Sequence, residues 1–281
     1  MRLFTQIFSA ALQSGLFCKY LRQRHALLFM LRRAINKNQL IPFIQPIVDA
    51  RTGNTVAGEV LMRWKHPALG NISPECFIPL AEQSGLISRI TASGIQSVAR
   101  TITSTAFIYR PDTTLFFNVA AKDFENHDIL LACQRFMQQT GLPDLRIGLE
   151  ITERQAVTGS SLLQELCERL EGLGVHLSMD DFGTGNSNYH YLMLFQPRYI
   201  KIDKLFTCGI ETDRSKAAIV RNIVAIAREL QCLTIAEGVE TRSQRETLAA
   251  MGISHFQGYF FSHPVEASVF FHQLMVALPL R

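Results

Sequence analysis

Val175-His176-Leu177-Ser178-Met179-Asp180-Asp181-Phe182-Gly183-Thr184-Gly185-Asn186-Ser187 is an apolar run that ends in two adjacent carboxylates and passes into a loop with two glycines. Neighbouring acids at a strand end repel one another unless a cation lies between them. The stretch therefore reads as a buried strand that delivers oxygen ligands to a divalent cation. The glycines let the backbone turn sharply or approach a phosphate. An ordinary alternative is open at this point: the Asp pair caps the next helix and Gly183-Thr184-Gly185 is a plain turn.

The same design recurs on both sides of this stretch. Short apolar runs at 41–48, 55–64, 114–119, 145–150, 175–180, 199–203, 233–237 and 255–261 alternate with amphipathic stretches at 74–83, 89–100, 127–140, 161–173, 216–230 and 243–251. Gly172, Gly174 and Gly252 stand where helices should stop. Alternation with short connections is the α/β pattern of parallel strands joined by crossover helices. Eight strand candidates in 281 residues suit a closed (β/α)8 barrel, a fold of typically about 250 residues. An open doubly wound sheet competes with it.

Charge is unevenly spread. Arg2, Lys19, Arg22, Arg24, Arg32, Arg33 and Lys37 all precede the first acid, Asp49, and removing those seven from the formal net of +4 leaves about −3 for the remainder. The basic excess sits at one end, which argues against a groove for a nucleic acid polymer. It suits either a solvated helix face or a peripheral contact with an anionic membrane surface. Leu3 to Phe17 is apolar but interrupted by Gln6 and Gln13, and it is shorter than the roughly 20 residues a spanning helix needs. An interfacial helix and the stub of a membrane-anchored parent both fit. Leu21, Leu27, Leu28, Leu31 and Ile35 extend a helical pattern to about residue 37. The six cysteines form no C-x-x-C pair, several sit in apolar contexts and read as small core residues, and nothing suggests a disulfide framework or a zinc site. A reducing cytoplasm is the expected compartment.

Polar residues gather at or near the C-terminal ends of the apolar runs: Glu59, Asn118, Glu150, Asp180, Asp181, Lys201, Asp203, Glu237, Glu240 and Gln257. In a parallel barrel these ends converge on one face, so the residues would share one site. Taken singly, each has a bland reading as a cap, a turn former or a surface residue. Taken together, so many charged groups beside buried strands are costly unless paired or metal-bound. A donor set of oxygens without His or Cys selects hard cations such as Mg²⁺ or Mn²⁺. Asp180 is placed to bridge two ions, with Asp181 and Glu237 on one side and Glu59, Asn118 and Glu150 on the other. Two such ions bind a phosphodiester and acidify a water, and Lys201 would stabilise developing charge or orient the nucleophile. No G-x-S-x-G or H-E-x-x-H motif offers another hydrolytic chemistry.

At these residues the chain resembles the EAL-domain family of cyclic di-GMP phosphodiesterases. The matching motifs are Gln45-Pro46-Ile47-Val48, Gly58-Glu59-Val60-Leu61-Met62-Arg63-Trp64, Phe77-Ile78-Pro79-Leu80-Ala81-Glu82, Glu150-Ile151-Thr152-Glu153, Asp180-Asp181-Phe182-Gly183-Thr184-Gly185, Lys201-Ile202-Asp203, Ala236-Glu237-Gly238-Val239-Glu240 and Gln257-Gly258-Tyr259, in family order. The resemblance implies a modified, TIM-like (β/α)8 barrel whose first strand runs antiparallel, preceded by a helical segment. It implies hydrolysis of cyclic di-GMP to linear 5′-pGpG with two Mg²⁺ or Mn²⁺ ions. It implies metal ligation by Glu59, Asn118, Glu150, Asp180, Asp181 and Glu237, and water activation by Lys201 with support from Glu240 and Gln257. Gln45, Arg63 and Asp203 match substrate-binding positions. Glu153 matches a glutamate that anchors the loop after Asp181, a segment tied to homodimer formation. On this reading residues 1–27 are a basic helical lead-in and 28–281 the phosphodiesterase domain.

The naming tripeptide reads Glu59-Val60-Leu61, and the loop reads Asn186-Ser187-Asn188-Tyr189 where the family usually has a Tyr-Ser-Ser-Leu-like run. These departures, with the basic lead-in, resemble the membrane-anchored subgroup with a Cys-Ser-Ser sensor. A non-catalytic cyclic di-GMP receptor or interaction module is the competing function, and an enolase-like barrel is a third reading of the same strand ends.

Overall fold

The computed structural model describes residues 24–104, 112–124, 128–152, 161–184 and 189–276, and in it each of the eight strand candidates contributes a strand, whereas the apolar run Leu3 to Phe17 lies outside the described residues. The strands are β1 (Leu40–Asp49), β2 (Thr55–His66), β3 (Gly70–Ile72), β4 (Thr114–Val119), β5 (Arg146–Thr152), β6 (His176–Phe182), β7 (Tyr199–Ile202), β8 (Leu233–Ala236), β9 (His255–Gln257) and β10 (Val265–Glu266). Their order is β10-β1-β9-β8-β7-β6-β5-β4-β2-β3, and an additional β1–β2 pairing closes the ring. Closure through that pairing excludes the open sheet. Strands β2 and β4 to β9 run parallel, whereas β1 is antiparallel to both β2 and β9. One reversed strand in an eight-stranded barrel is what the family resemblance implies. The short β3 and β10 extend the two edges and escape a pattern search, since two or three residues carry no alternation.

The described helices are α1 (Arg24–Asn36), α2 (Pro74–Ser84), α3 (Ile87–Ser104), α4 (Asp128–Thr140), α5 (Ser161–Gly172), α6 (Tyr189–Phe195), α7 (Lys204–Thr207), α8 (Arg214–Glu229), α9 (Arg242–Ala250) and α10 (Ala267–Val276). Local signals set their limits. Asp213 caps α8 by accepting from Ser215 and Lys216 N–H, and Thr241 with Gln244 forms a capping box at α9. Gly174 lies at φ +77° just after α5, the left-handed conformation that glycine adopts without steric cost. Sequence periodicity missed α6, α7 and α10. The first two are seven and four residues long, and the last, ASVFFHQLMV, is apolar around most of its circumference.

The main core lies between the outer barrel wall and the helices. A second cluster joins Leu27, Leu31, Ala34 and Ile35 of α1 to Trp64, Phe77 and Ile90, so α1 seals one side of the barrel against α2 and α3. Inside the ring, Ile47, Ala57, Phe116, Tyr199 and Ile235 form an apolar layer. That layer fills the ring interior away from the polar strand ends. Among the described residues no helix is long and apolar enough to cross a membrane. Cys133 and Cys167 are buried and free, as small core residues should be. Cys76 on α2 departs from that reading because it is disulfide-bonded. Pairing depends on how distant segments approach in space, which spacing along the chain does not disclose.

Candidate active site

Strand register brings the polar ends together. Gln45 on β1 lies opposite Glu59 on β2, and Asn118 on β4 lies beside Glu150 on β5. Asp180 lies near the end of β6 and pairs with Thr152, Lys201 sits on β7, Glu237 follows β8, and Gln257 ends β9. At the centre is the ammonium of Lys201, with the residue only 1% exposed. Its Nζ lies 2.6 Å from Glu237 Oε1, 2.8 Å from Glu150 Oε1, 3.2 Å from Glu59 Oε2 and 3.4 Å from Asp180 Oδ1. Glu59 also accepts from Asn118 Nδ2 at 2.8 Å and Gln257 Nε2 at 2.6 Å. Gln257 Nε2 reaches Gln45 Oε1 at 3.1 Å, which ties the reversed strand β1 into the same network.

One cation among so many acids leaves an excess of negative charge in a poorly solvated place. Burial raises the Glu237 carboxyl, only partly opposed by Lys201, and it is pushed up to about 8. Burial, helped by the neighbouring Glu59 charge, drives Glu150 well above the ordinary carboxylate range. Asp181 is raised to about 6 by burial, then by Asp180 and Asp203. At Glu59 burial is outweighed by Lys201 and by hydrogen bonds from Gln257 and Asn118, so this carboxyl is held below its usual value. The same acids drive Lys201 well up, against the opposing effect of its burial.

The donor set fits further positive charge. One oxygen each from Asp180, Asp181 and Glu237 lies within 4.8 Å of the others. Glu150 Oε2 is buried with no hydrogen-bond donor among the described residues, while Oε1 meets the Lys201 ammonium. Asp181 sits at φ +53°, a conformation that non-glycine residues rarely adopt, and its N–H donates to its neighbour Asp180 Oδ1 at 2.9 Å. Such strain persists where the surroundings over-determine it, often at functional sites. All these ligands are oxygens, as Mg²⁺ and Mn²⁺ require.

The remaining sequence candidates fall as follows. Arg63 lies on the same face of β2 as Glu59 by strand alternation, half-buried, with its guanidinium 5.9 Å from the centre of the Phe43 ring. Asp203 follows β7, caps α7 through Leu205 N–H at 2.8 Å, and neighbours Asp181. Glu240 is exposed at the start of α9. Its backbone N–H donates to Gln244, and no described hydrogen bond or ion pair links its carboxylate to the cluster. Glu153, the proposed loop anchor, and residues 185–188 of the loop after Asp181 lie outside the described residues. Sequence reasoning missed Thr207, whose hydroxyl donates to the Glu237 carbonyl at 2.5 Å and pins the turn after β8; an isolated threonine in an apolar helix gives no signal of this. It also missed a cavity of about 260 Å³ beside Asn118, lined by Leu61, Arg63, Glu82, Ile87 and Thr91 among others.

Comparisons with known proteins agree with this architecture. The EAL domain model matches residues 29–264. The chain is 38% identical over 236 residues to the probable cyclic di-GMP phosphodiesterase PdeG of Escherichia coli K12, covering 84% of this chain and 46% of that protein. It is 34% identical over 237 residues to the cyclic di-GMP phosphodiesterase PdeL of the same organism, covering 84% and 66% respectively. The chain thus spans about half to two-thirds of these relatives. The solved PaMucR phosphodiesterase in its c-di-GMP complex superposes with a TM-score of 0.76 at 34% identity, covering 87% of this chain and 99% of that one. A barrel closed by one reversed strand, with its acids gathered at one mouth, is therefore matched in sequence as well as in shape, and this chain belongs to the EAL domain family.

Proposed function

We propose that the chain hydrolyses cyclic di-GMP to linear 5′-pGpG. The observation that carries this reading is the Lys201 ammonium ringed by Glu59, Glu150, Asp180 and Glu237 at one barrel mouth. Identity to relatives named as cyclic di-GMP phosphodiesterases supports the choice of substrate. Asp181 and Glu237 on one side, and Glu59, Asn118 and Glu150 on the other, with Asp180 between them, would hold two ions of Mg²⁺ or Mn²⁺. When bound, such ions supply Lewis-acid stabilisation of the phosphodiester and lower the pKa of a water.

The chain's own residues do the rest. Lys201, buried and charged, stabilises negative charge building on the phosphoryl oxygens. Asn118 and Gln257 fix the rotamer of Glu59 through two hydrogen bonds, as supporting shells do for ligands. Arg63 meets a phosphate or base further along the cleft, and the cavity beside Asn118 takes one purine. Water adds at phosphorus as the bond to the ribose 3′-oxygen breaks; a proton leaves the water and the alkoxide gains one. Glu240 would reach this water only after a rotamer change from its exposed position. Pairing of two copies through the segment after Asp181, and contact of the basic residues before Asp49 with an anionic membrane, rest on sequence alone and belong to the same proposal.

Incubation with cyclic di-GMP and Mg²⁺ or Mn²⁺, followed by chromatography, should give the linear dinucleotide, and a chelator should abolish it. Binding without product would assign the chain to the receptor class. A pH dependence follows from the raised carboxyls. Cation binding needs ionised ligands, and Glu237 at about 8 and Asp181 at about 6 retain protons below those values. Mn²⁺ affinity should therefore rise with pH from 6 to 8, by about tenfold per unit where one proton is displaced, and flatten above. Calorimetric titrations in two buffers of different ionisation heat read the released protons directly; a pH-independent affinity would contradict the raised values.

A further inference from the structure

Helix α7 is a single turn between the end of β7 and the turn after β8, and it closes on a threonine that the chemistry above does not use. It follows directly from Lys201 and Asp203, and Asp203 caps its start through Leu205 N–H. Its last residue, Thr207, is fully buried. The hydroxyl has one proton to give. The Glu237 carbonyl lies 2.5 Å away and the Lys204 carbonyl 3.4 Å, so the nearer Glu237 takes it. Gly238 follows at φ +62°, and a Cβ there would lie 2.6 Å from the Lys204 Cβ, so the turn rests directly on α7. The turn is held from its other end as well. Gln244 Oε1 accepts from the Glu240 N–H at 2.7 Å and the Thr241 N–H at 2.9 Å, and Gln244 Nε2 reaches the Thr207 carbonyl at 3.4 Å.

The Glu237 N–H continues the β7–β8 ladder by donating to the Ile202 carbonyl at 3.0 Å. Its carbonyl falls beyond the ladder, and among the described residues Thr207 is its hydrogen-bond donor. With both backbone polar groups engaged, only the side chain is left to reach the site. That carboxylate lies 2.6 Å from Lys201 Nζ and within 4.8 Å of an oxygen of Asp180 and of Asp181. We propose that Thr207 is the positioning residue for the Glu237 carboxylate, fixing the backbone from which it reaches the cation it would share with Asp180 and Asp181. This rests on the hydrolase reading given above. Without the hydroxyl, the peptide plane after Glu237 is free to rotate, and the carboxylate swings with it. Groups that orient a ligand in this way are worth about 10- to 100-fold in metal affinity. Glu59, Asn118 and Glu150 stand on other strands, away from α7, so the loss falls on the ion beside Asp181.

The test is calorimetric titration of the whole chain with Mn²⁺, beside steady-state hydrolysis of cyclic di-GMP over a range of Mn²⁺ concentrations. Thr207→Val keeps the shape and removes the hydroxyl. It should weaken one bound Mn²⁺ by about 10- to 100-fold and shift the Mn²⁺ dependence of kcat by the same factor, with KM for cyclic di-GMP within about twofold. Saturating Mn²⁺ should bring kcat back to within about threefold of the wild type, a rescue that damage to the scaffold alone would not allow. Thr207→Ser restores the donor and should keep the Mn²⁺ affinity within about threefold. Unchanged Mn²⁺ affinity in Thr207→Val overturns the proposal. So does equal weakening in Thr207→Ser, which would trace the effect to packing around α7 rather than to the hydroxyl. If Thr207→Val fails to fold, Thr207→Ala is read against Thr207→Ser by the same criterion, and failure of both to fold makes the residue a core element and overturns the proposal. If the wild-type chain forms no linear product, the hydrolase reading fails on its own account. The calorimetry still decides the role of Thr207: weaker Mn²⁺ binding by Thr207→Val than by the wild type supports it, and equal binding, or none by the wild type, overturns it.

Discussion

Lys201→Met is expected to lower cyclic di-GMP turnover by about 10³-fold or more and, in the absence of divalent cations, to destabilise the fold by about 3–5 kcal/mol. The ammonium is the shared partner of Glu59, Glu150, Asp180 and Glu237. Removing it leaves buried carboxylates facing one another, the situation in which breaking a buried ion network costs most. Methionine keeps most of the volume, so the loss reports charge rather than packing. Mn²⁺ should restore much of the stability by binding the same acids in the folded state only, but not the turnover. The deficit should also shrink at low pH, where the carboxylates take up protons. Melting curves with and without Mn²⁺, beside product assays, separate these effects. Wild-type turnover in Lys201→Met would remove the lysine from the chemistry.

Glu59→Ala is expected to abolish hydrolysis, by about 10³-fold or more, through a different route. Glu59 accepts from Asn118, Gln257 and Lys201 at once. Its loss removes a proposed cation ligand and strands the buried Gln257 amide donor, at about 1–3 kcal/mol where no water replaces the acceptor, whereas the exposed Asn118 amide can turn to water. Glu59→Gln is the informative companion. It keeps shape and most of the packing but not the charge, so its turnover should be as low while its melting temperature stays nearer the wild type. Mn²⁺ titration should show weakened binding in both variants. Full activity in Glu59→Gln would show that the carboxylate charge is dispensable.

Much of this site was legible from one-dimensional pattern because each polar residue interrupts or follows an apolar run. Alternation and βα spacing then imply convergence, as Glu59, Asn118, Glu150, Asp180 and Lys201 illustrate. What the pattern could not supply was closure. Only the β1–β2 register, with Gln45 opposite Glu59, distinguishes a ring from an open sheet. The reversal of β1 follows from the family resemblance and not from its composition. The four-way role of Lys201 was equally hidden, because its partners lie on or just after four different strands. Thr207 acts through a backbone carbonyl, which leaves no periodic trace. Cys76 shows the same limit for covalent pairing.

The proposed function requires acids from separate strands to form a single cation site. Anomalous scattering from crystals loaded with Mn²⁺ and cyclic di-GMP under non-turnover conditions tests it most directly. Two manganese peaks are expected at the barrel mouth, one bounded by Asp181 and Glu237 and the other by Glu59, Asn118 and Glu150, with Asp180 touching both. Manganese absent from these carboxylates, or bound only on the outer surface, would contradict it.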